Sequence, residues 1–336
     1  MRKQSRTFAA GAILLFLSGV LWASASEIDA DLMAKRRVFK EIGTGLRAVR
    51  RAANGHYYVL ASPSVGVAIY DAQMKRLKIF GGPEEVPSGQ KAPQALIGFG
   101  EDCDVDANGN VYVADRAYNV IAEFAPGGQL LKSFPVNSPT SVAVLPNEEV
   151  AVTSLGQHAL VAVYGANGKV AREFGEPESL SSRAELDRYI NLGRVNSDPQ
   201  GHVYFGFTFF PEPTVRQFDL AGFVKMTFEF TGVDAFPEAQ AVRKEIERLE
   251  TRKEPPFLHP ILTAYGVDPV NGDMWMGLHN TLVHFDKDGI RRSEYQIYTM
   301  NGTRLEAGVI LVEEDRLLIG ADPLGVYEFP RPDRQH

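Results

Sequence analysis

Cysteine is almost absent from this chain: Cys103 is the one thiol among 336 residues, so no intramolecular disulfide can form and stability must come from a packed apolar core. Histidine is sparse, with seven copies, none at the His-x-His or His-x-x-x-His spacing that would set two imidazoles on one metal. No Gly-x-Ser-x-Gly elbow, P-loop or dinucleotide fingerprint occurs, which sets aside serine hydrolase and nucleotide chemistry. Long basic tracts are missing too. The longest is Lys35-Arg36-Arg37, and Asp and Glu outnumber Lys and Arg by 42 to 35, so nucleic acid is not an expected partner.

Beyond Trp22 no apolar run approaches the roughly 20 residues of a spanning helix. The run from Phe8 to Trp22 follows Arg2, Lys3 and Arg6 and precedes Ala23-Ser24-Ala25, the order of a secretory signal peptide over residues 1–25. The expectation is a secreted, periplasmic protein without stable membrane insertion once that segment is cleaved. No cysteine follows the run, so a lipoprotein anchor is not indicated. Cleavage would remove three basic residues and no acidic one, moving the formal charge from −7 to −10.

What the chain has in quantity is a repeated unit, clearest from Asp104 to Phe134. Six copies align on a first turn: Asn54-Gly55, Asn108-Gly109, Pro146-Asn147, Gln200-Gly201, Asn271-Gly272 and Glu314-Asp315. Asn-Gly and related pairs supply the positive φ of tight hairpins. A short β-rich strand follows each turn, at residues 57–60, 111–114, 150–153, 203–206, 274–277 and 317–320. The next strand ends on an aromatic every time: Tyr70, Phe124, Tyr164, Phe218, Phe285 and Phe329. Six aromatics at one motif position point to one task, wedging between adjacent sheets. A last strand closes five units around Phe80, Phe134, Phe174, Phe230 and Tyr298, and the sixth unit lacks one. Residues 37–43 look like those endings and are expected to complete the sixth unit, leaving no open edge.

The run Asp106-Ala107-Asn108-Gly109-Asn110-Val111-Tyr112-Val113-Ala114-Asp115, followed by Asn119-Val120-Ile121 and Phe124, resembles the NHL repeat of secreted, TolB-like propellers. The resemblance implies an all-β fold: a six-bladed β-propeller of four-stranded antiparallel blades, its N-terminal strand closing the last blade, in one domain over residues 36–330. It also implies that the turns between first and second (A–B) and third and fourth (C–D) strands share one face. The insertions at residues 81–99, 175–193 and 231–263 then gather on the other face, which becomes the expected binding face. Helical segments are expected within residues 176–193 and 232–262. Ser182-Arg183-Ala184-Glu185 reads as a capping box, and Phe236, Ala239, Val242, Ile246 and Leu249 form a helical stripe expected to pack on the propeller.

Candidate binding residues on that face are Glu101, Asp102, Arg116, Tyr118, Asn119, His158, Phe209, Phe210, Glu212, His279, Asn280 and Asp322, a mixture suited to a peptide, protein or glycan. Alternation puts Asp102 and Asp104 on one side of their strand, with Cys103 buried between them. The function so read is a non-catalytic binding or scaffolding module of the cell envelope that needs no cofactor. The alternative is a metal-dependent lyase or lactonase in the central funnel. His158, His259 and His279 could converge on zinc, a scheme similar to that of peptidylglycine amidating lyases, with Tyr118 and Arg116 beside it. A gluconolactonase-like calcium site would instead draw on Glu101, Asn119, Asn196 and Asp322, and a streptogramin-type lyase is a further propeller scheme.

Overall fold

The short β-rich segments pair with their sequence neighbours because polar turns fold each strand back antiparallel to the last. Glycines at φ near +80 to +88° make four of the A–B turns: Gly55, Gly109, Gly201 and Gly272. The computed structural model describes residues 29–83, 96–231, 237–252, 254 and 256–334; the expected signal peptide at 1–25 and Phe236 lie outside them.

Six sheets result, each with four antiparallel strands of one blade. Their innermost strands, blades one to six in order, are Leu46–Arg51, Gly100–Val105, Pro139–Val144, Gly193–Ser197, Ala264–Val267 and Val309–Val312, set around a central channel. Five of the six aromatics that end the third strands are buried where they were expected to wedge, Tyr70, Phe124, Phe218, Phe285 and Phe329 being at most 1% exposed, and Tyr164 is partly buried. Ring partners come from the outer strand of the preceding blade. The pairs are Phe80–Phe124 at 5.3 Å between centroids, Phe134–Tyr164 at 5.0 Å, Phe174–Phe218 at 5.1 Å and Phe228–Phe285 at 6.3 Å. In blade four the ring that meets its neighbour is Phe228, while Phe230 is buried under Arg291. Truncating any one of these rings should cost about 3–5 kcal/mol.

The ring closes through the N-terminus. Strand β1 (Ala30–Met33) adds a fifth, parallel strand to the outside of blade five, which the sequence did not suggest. Strand β2 (Arg36–Val38) then pairs antiparallel with Gly325–Pro330 and supplies the missing outer strand of blade six. It is shorter than the expected 37–43 because Phe39 adopts φ +47° and turns the chain; its ring still fills the wedge, 4.6 Å from Tyr70.

Two helices stand in the insertions, α1 (Ala184–Ile190) and α2 (Pro237–Thr251). The expected capping box is not formed: the N-cap is Arg183 without a side-chain cap, and Ser182 binds Glu250 of α2 instead. Arg183 Nη1 also donates to the carbonyls of Leu249 at 2.5 Å and Arg252 at 2.7 Å, joining the two insertions into one cap. The α2 stripe is buried as expected, with Ala239 and Val242 against Phe228 and Phe230 and Leu249 in the blade three–four core. No helix among the described residues is long and apolar enough to cross a membrane.

Candidate functional site

In blades one, two and three the register of the innermost strand slips by one residue, at Arg47, Glu101 and Thr140. Such bulges re-aim the extra side chain. Here they bring Arg47 and Glu101 together at the insertion-bearing mouth of the channel, Nη1 to Oε2 at 3.8 Å, while Arg116 Nη1 approaches the other oxygen of Glu101 to 3.0 Å. Both guanidinium groups lie 4.9 Å from the centre of the Phe99 ring. Asp115 holds that loop by accepting from the N–H groups of Gly98 at 2.7 Å and Phe99 at 3.1 Å. From blade four Arg194 spans to blade one and donates to the Arg47 carbonyl at 3.3 Å; among the described residues no carboxylate lies within ion-pair reach of it.

Beneath the mouth the channel is filled. Arg50 Nη2 meets Asp102 Oδ1 at 3.0 Å and its Nε lies 3.5 Å from Asp104 Oδ1. Ser141 Oγ donates to Asp102 Oδ2 at 2.5 Å and accepts from Val195 N–H at 3.0 Å, so one polar relay links blades one to four across the axis. Tyr265 closes the gap to blade five, its one hydroxyl proton shared between the carbonyls of Tyr204 at 2.8 Å and Arg194 at 3.0 Å. The space left is about 30 Å³, room for about one water. Burial is the largest influence on Arg50 and opposes its charge, but Asp102 and Asp104 outweigh it and the pKa is raised. Burial dominates Asp104, whose pKa is raised despite Arg50, and it pushes the Cys103 thiol far up, so that thiol is a core group and not a nucleophile. Asp102, expected on the binding face, is 1% exposed and belongs to this relay.

A groove lies beside α1 on the insertion-bearing face. Its inner part, about 280 Å³, is lined by Gln157, His158, Asp187, Asn191, Gly193 and Phe205; its outer part, about 490 Å³, by Asn137, Leu155, Gly156, Leu186, Tyr189 and Pro256. Arg188 borders both, and Gly193 adjoins Arg194. The opposite mouth is wider, about 700 Å³, and is bounded by the A–B turns of all six blades. Asp104, Asp106, Asp198 and Glu313 at this mouth are engaged by the fold. Asp106 accepts from the N–H groups of Asn108 and Asn110, and Asp198 accepts from His202 N–H and the Tyr204 hydroxyl. Glu313 holds Tyr57, Arg51 and Arg316.

The three histidines proposed for zinc occupy different places. His158 is exposed in the groove, His259 packs edge-on against Phe257 at 5.1 Å, and His279 sits at φ +56° with its Nε2 buried and unpartnered. Among the described residues the one set of at least three such side chains close enough to share an ion is Asp273, His284 and Asp333, within 4.8 Å of one another. Protein donors already occupy it: Arg331 binds both oxygens of Asp333, and Asn271 and Lys287 donate to Asp273. His284 bonds Asp273 at 3.2 Å and stacks on Trp275 at 4.3 Å. Each residue of the calcium set has a partner within the fold. Glu101 is held by Arg116, Asn119 Oδ1 accepts from Ser138 N–H, Asn196 Oδ1 from Ser197 N–H, and Asp322 Oδ1 from Gly45 N–H.

Of the other candidates, Phe210 is a core residue stacked on Phe207 at 3.9 Å, Phe209 is half-buried beside it, and Glu212 pins α2 through Arg243. Asn280 binds Gln296 within blade five. Tyr118 stays at the surface, 36% exposed, packed on Gly98 next to the mouth. The mouth thus gathers Glu101, Arg116 and Tyr118 from the expected list and adds Arg47, Phe99 and Arg194, which sequence reasoning passed over.

No family model matches the chain, and no curated protein matches it. Solved structures do. A streptogramin B lyase aligns with 13% identity and a TM-score of 0.52 over 86% of this chain and 84% of that one. The virginiamycin B lyase of Staphylococcus aureus aligns with 12% identity and a TM-score of 0.50 over 86% and 85%. U3-55K aligns with 11% identity and a TM-score of 0.53 over 86% and 96%. At these identities the likeness is one of fold.

Proposed function

We propose that this chain is a non-catalytic binding or scaffolding propeller of the cell envelope, secreted to the periplasm, whose insertion-bearing face takes a peptide, protein or glycan ligand at the channel mouth and along α1. The observation that supports this is the placing of three arginines at the channel mouth and of the groove beside α1 on one face, the face where the repeat is interrupted. The wider opposite void is bounded by carboxylates that the turns themselves use. The secretory part of the reading rests on residues 1–25 alone.

A metal-dependent lyase or lactonase is the weaker reading. His158, His259 and His279 do not form a cluster close enough to share an ion, Asp102 serves the buried relay, and at 12–13% identity the likeness to the lyases is one of fold. Peptide and glycan arrays probed with the purified chain test the choice, with Gly156→Trp as the blocking variant because it fills the groove from the blade-three loop. Binding lost in that variant is the expected result. Binding indifferent to it, or stoichiometric zinc or calcium accompanied by lyase or lactonase turnover, would contradict the proposal.

A further inference from the structure

The insertion-bearing mouth has an excess of donors over acceptors. Arg47, Arg116 and Arg194 bring about fifteen N–H bonds, five per guanidinium. Facing them among the described residues are Glu101, shared at 3.8 and 3.0 Å, and the Arg47 carbonyl at 3.3 Å from Arg194. Arg47 Nε is buried with no acceptor at all. Two of these guanidinium groups are already held over the Phe99 ring, so little rotamer freedom is left to lose when a planar anion arrives. In a chain of net charge −7 this is a local concentration of cations aimed at the axis.

The groove beside α1, bordered by Gly193 next to Arg194 in the chain, has another character. Leu155, Leu186, Tyr189 and Pro256 give its outer part an apolar wall beside the charged side chains of Arg183, Glu185, Arg188 and Glu254, and Gln157 presents an Oε1 that is buried with no donor. An extended polypeptide matches both parts, with a carboxylate for the arginines, main-chain N–H groups for an unpaired amide oxygen, and side chains for the apolar wall. Resting on the reading of this face as the ligand face, we infer that the ligand is an extended peptide segment whose carboxylate, C-terminal or from Asp or Glu, sits among Arg47, Arg116 and Arg194, with the adjoining residues laid along α1.

The test uses the purified chain and a synthetic hexapeptide library made in two forms, one with free C-termini and Asp and Glu included, the other amidated with Asn and Gln in their place. The acidic form is expected to bind about ten- to hundredfold more tightly, the span of one to two charge-assisted hydrogen bonds. Arg194→Ala and the half-exposed Arg116→Ala should each remove that advantage with the thermal midpoint unchanged, and Arg194→Lys should restore part of it. Equal binding of both forms, or acidic binding indifferent to the arginine variants, overturns the inference. Binding of oligogalacturonate with neither peptide form overturns it while leaving this face a ligand face; binding of neither peptide nor oligosaccharide overturns the proposed function as well.

Discussion

The two mouths of the central channel are built from the same six repeats and use charge in opposite ways. At the turn mouth Asp106, Asp198, Asp268 and Glu313 each answer a neighbour in the fold: turn N–H groups, a tyrosine hydroxyl or a buried arginine. At the insertion mouth Arg47, Arg116 and Arg194 are set close together with little to accept their hydrogen bonds. Where the repeat is kept, ionised groups specify turns. Where it is broken, by bulges at Arg47 and Glu101 and by the α1 insertion, Arg47 and Arg116 share one carboxylate and Arg194 meets none among the described residues.

That contrast can be broken by mutation. The largest effect belongs to Arg331, whose side chain is 1% exposed and holds Asp268, itself 0% exposed, together with Asp333. Arg331→Ala strands those carboxylates and should lower stability by about 3–5 kcal/mol in urea unfolding; a loss under about 1 kcal/mol would deny the turn side its structural role. Asp198→Ala comes next. It leaves His202 N–H and the Tyr204 hydroxyl without their acceptor and should cost about 1–3 kcal/mol, with an unchanged urea midpoint as the contrary result.

A pH series sharpens the same side. Burial pushes Asp333 up, but the hydrogen bonds and charge of Arg331 outweigh it and hold its carboxyl below the usual range. A carboxyl depressed in the folded state adds stability above its unfolded pKa of about 3.9, and that stability is lost as pH falls below that value through the folded one. Urea unfolding between about pH 5 and 2 should therefore show an acid-side slope, at most about 1.4 kcal/mol per pH unit from this group, that Asp333→Asn flattens. An identical slope in the variant would contradict the pairing. The smallest stability effect belongs to the other mouth: Arg116→Ala, at a side chain 48% exposed, should change the urea midpoint by less than about 1 kcal/mol. A larger loss would make that arginine part of the scaffold.

What the sequence shows and hides follows the same division. The blade count, the aromatic wedges and the shared side of Asp102 and Asp104 were legible because each depends on local period: turns at fixed offsets, alternation along a strand, one ring per repeat. The bulges were not, since register is settled between strands and a slip of one residue leaves composition unchanged. Arg194 reaches Arg47 from 147 residues away, and no spacing rule connects them. Phe210 and Glu212 look like loop residues until α2 docks and Arg243 takes up Glu212. Arg331 follows the last strand in an unremarkable Pro-Arg-Pro run, and only the return of the chain over blade five gives it Asp268 and Trp275.

Hydrogen exchange of the chain with and without a bound acidic hexapeptide tests the asymmetry of the two mouths most directly. The account predicts added protection at residues 97–101, 115–119 and 184–194, around Phe99, Arg116 and α1. Added protection at residues 52–55, 106–110 and 198–202 instead, on the turn side, would contradict it.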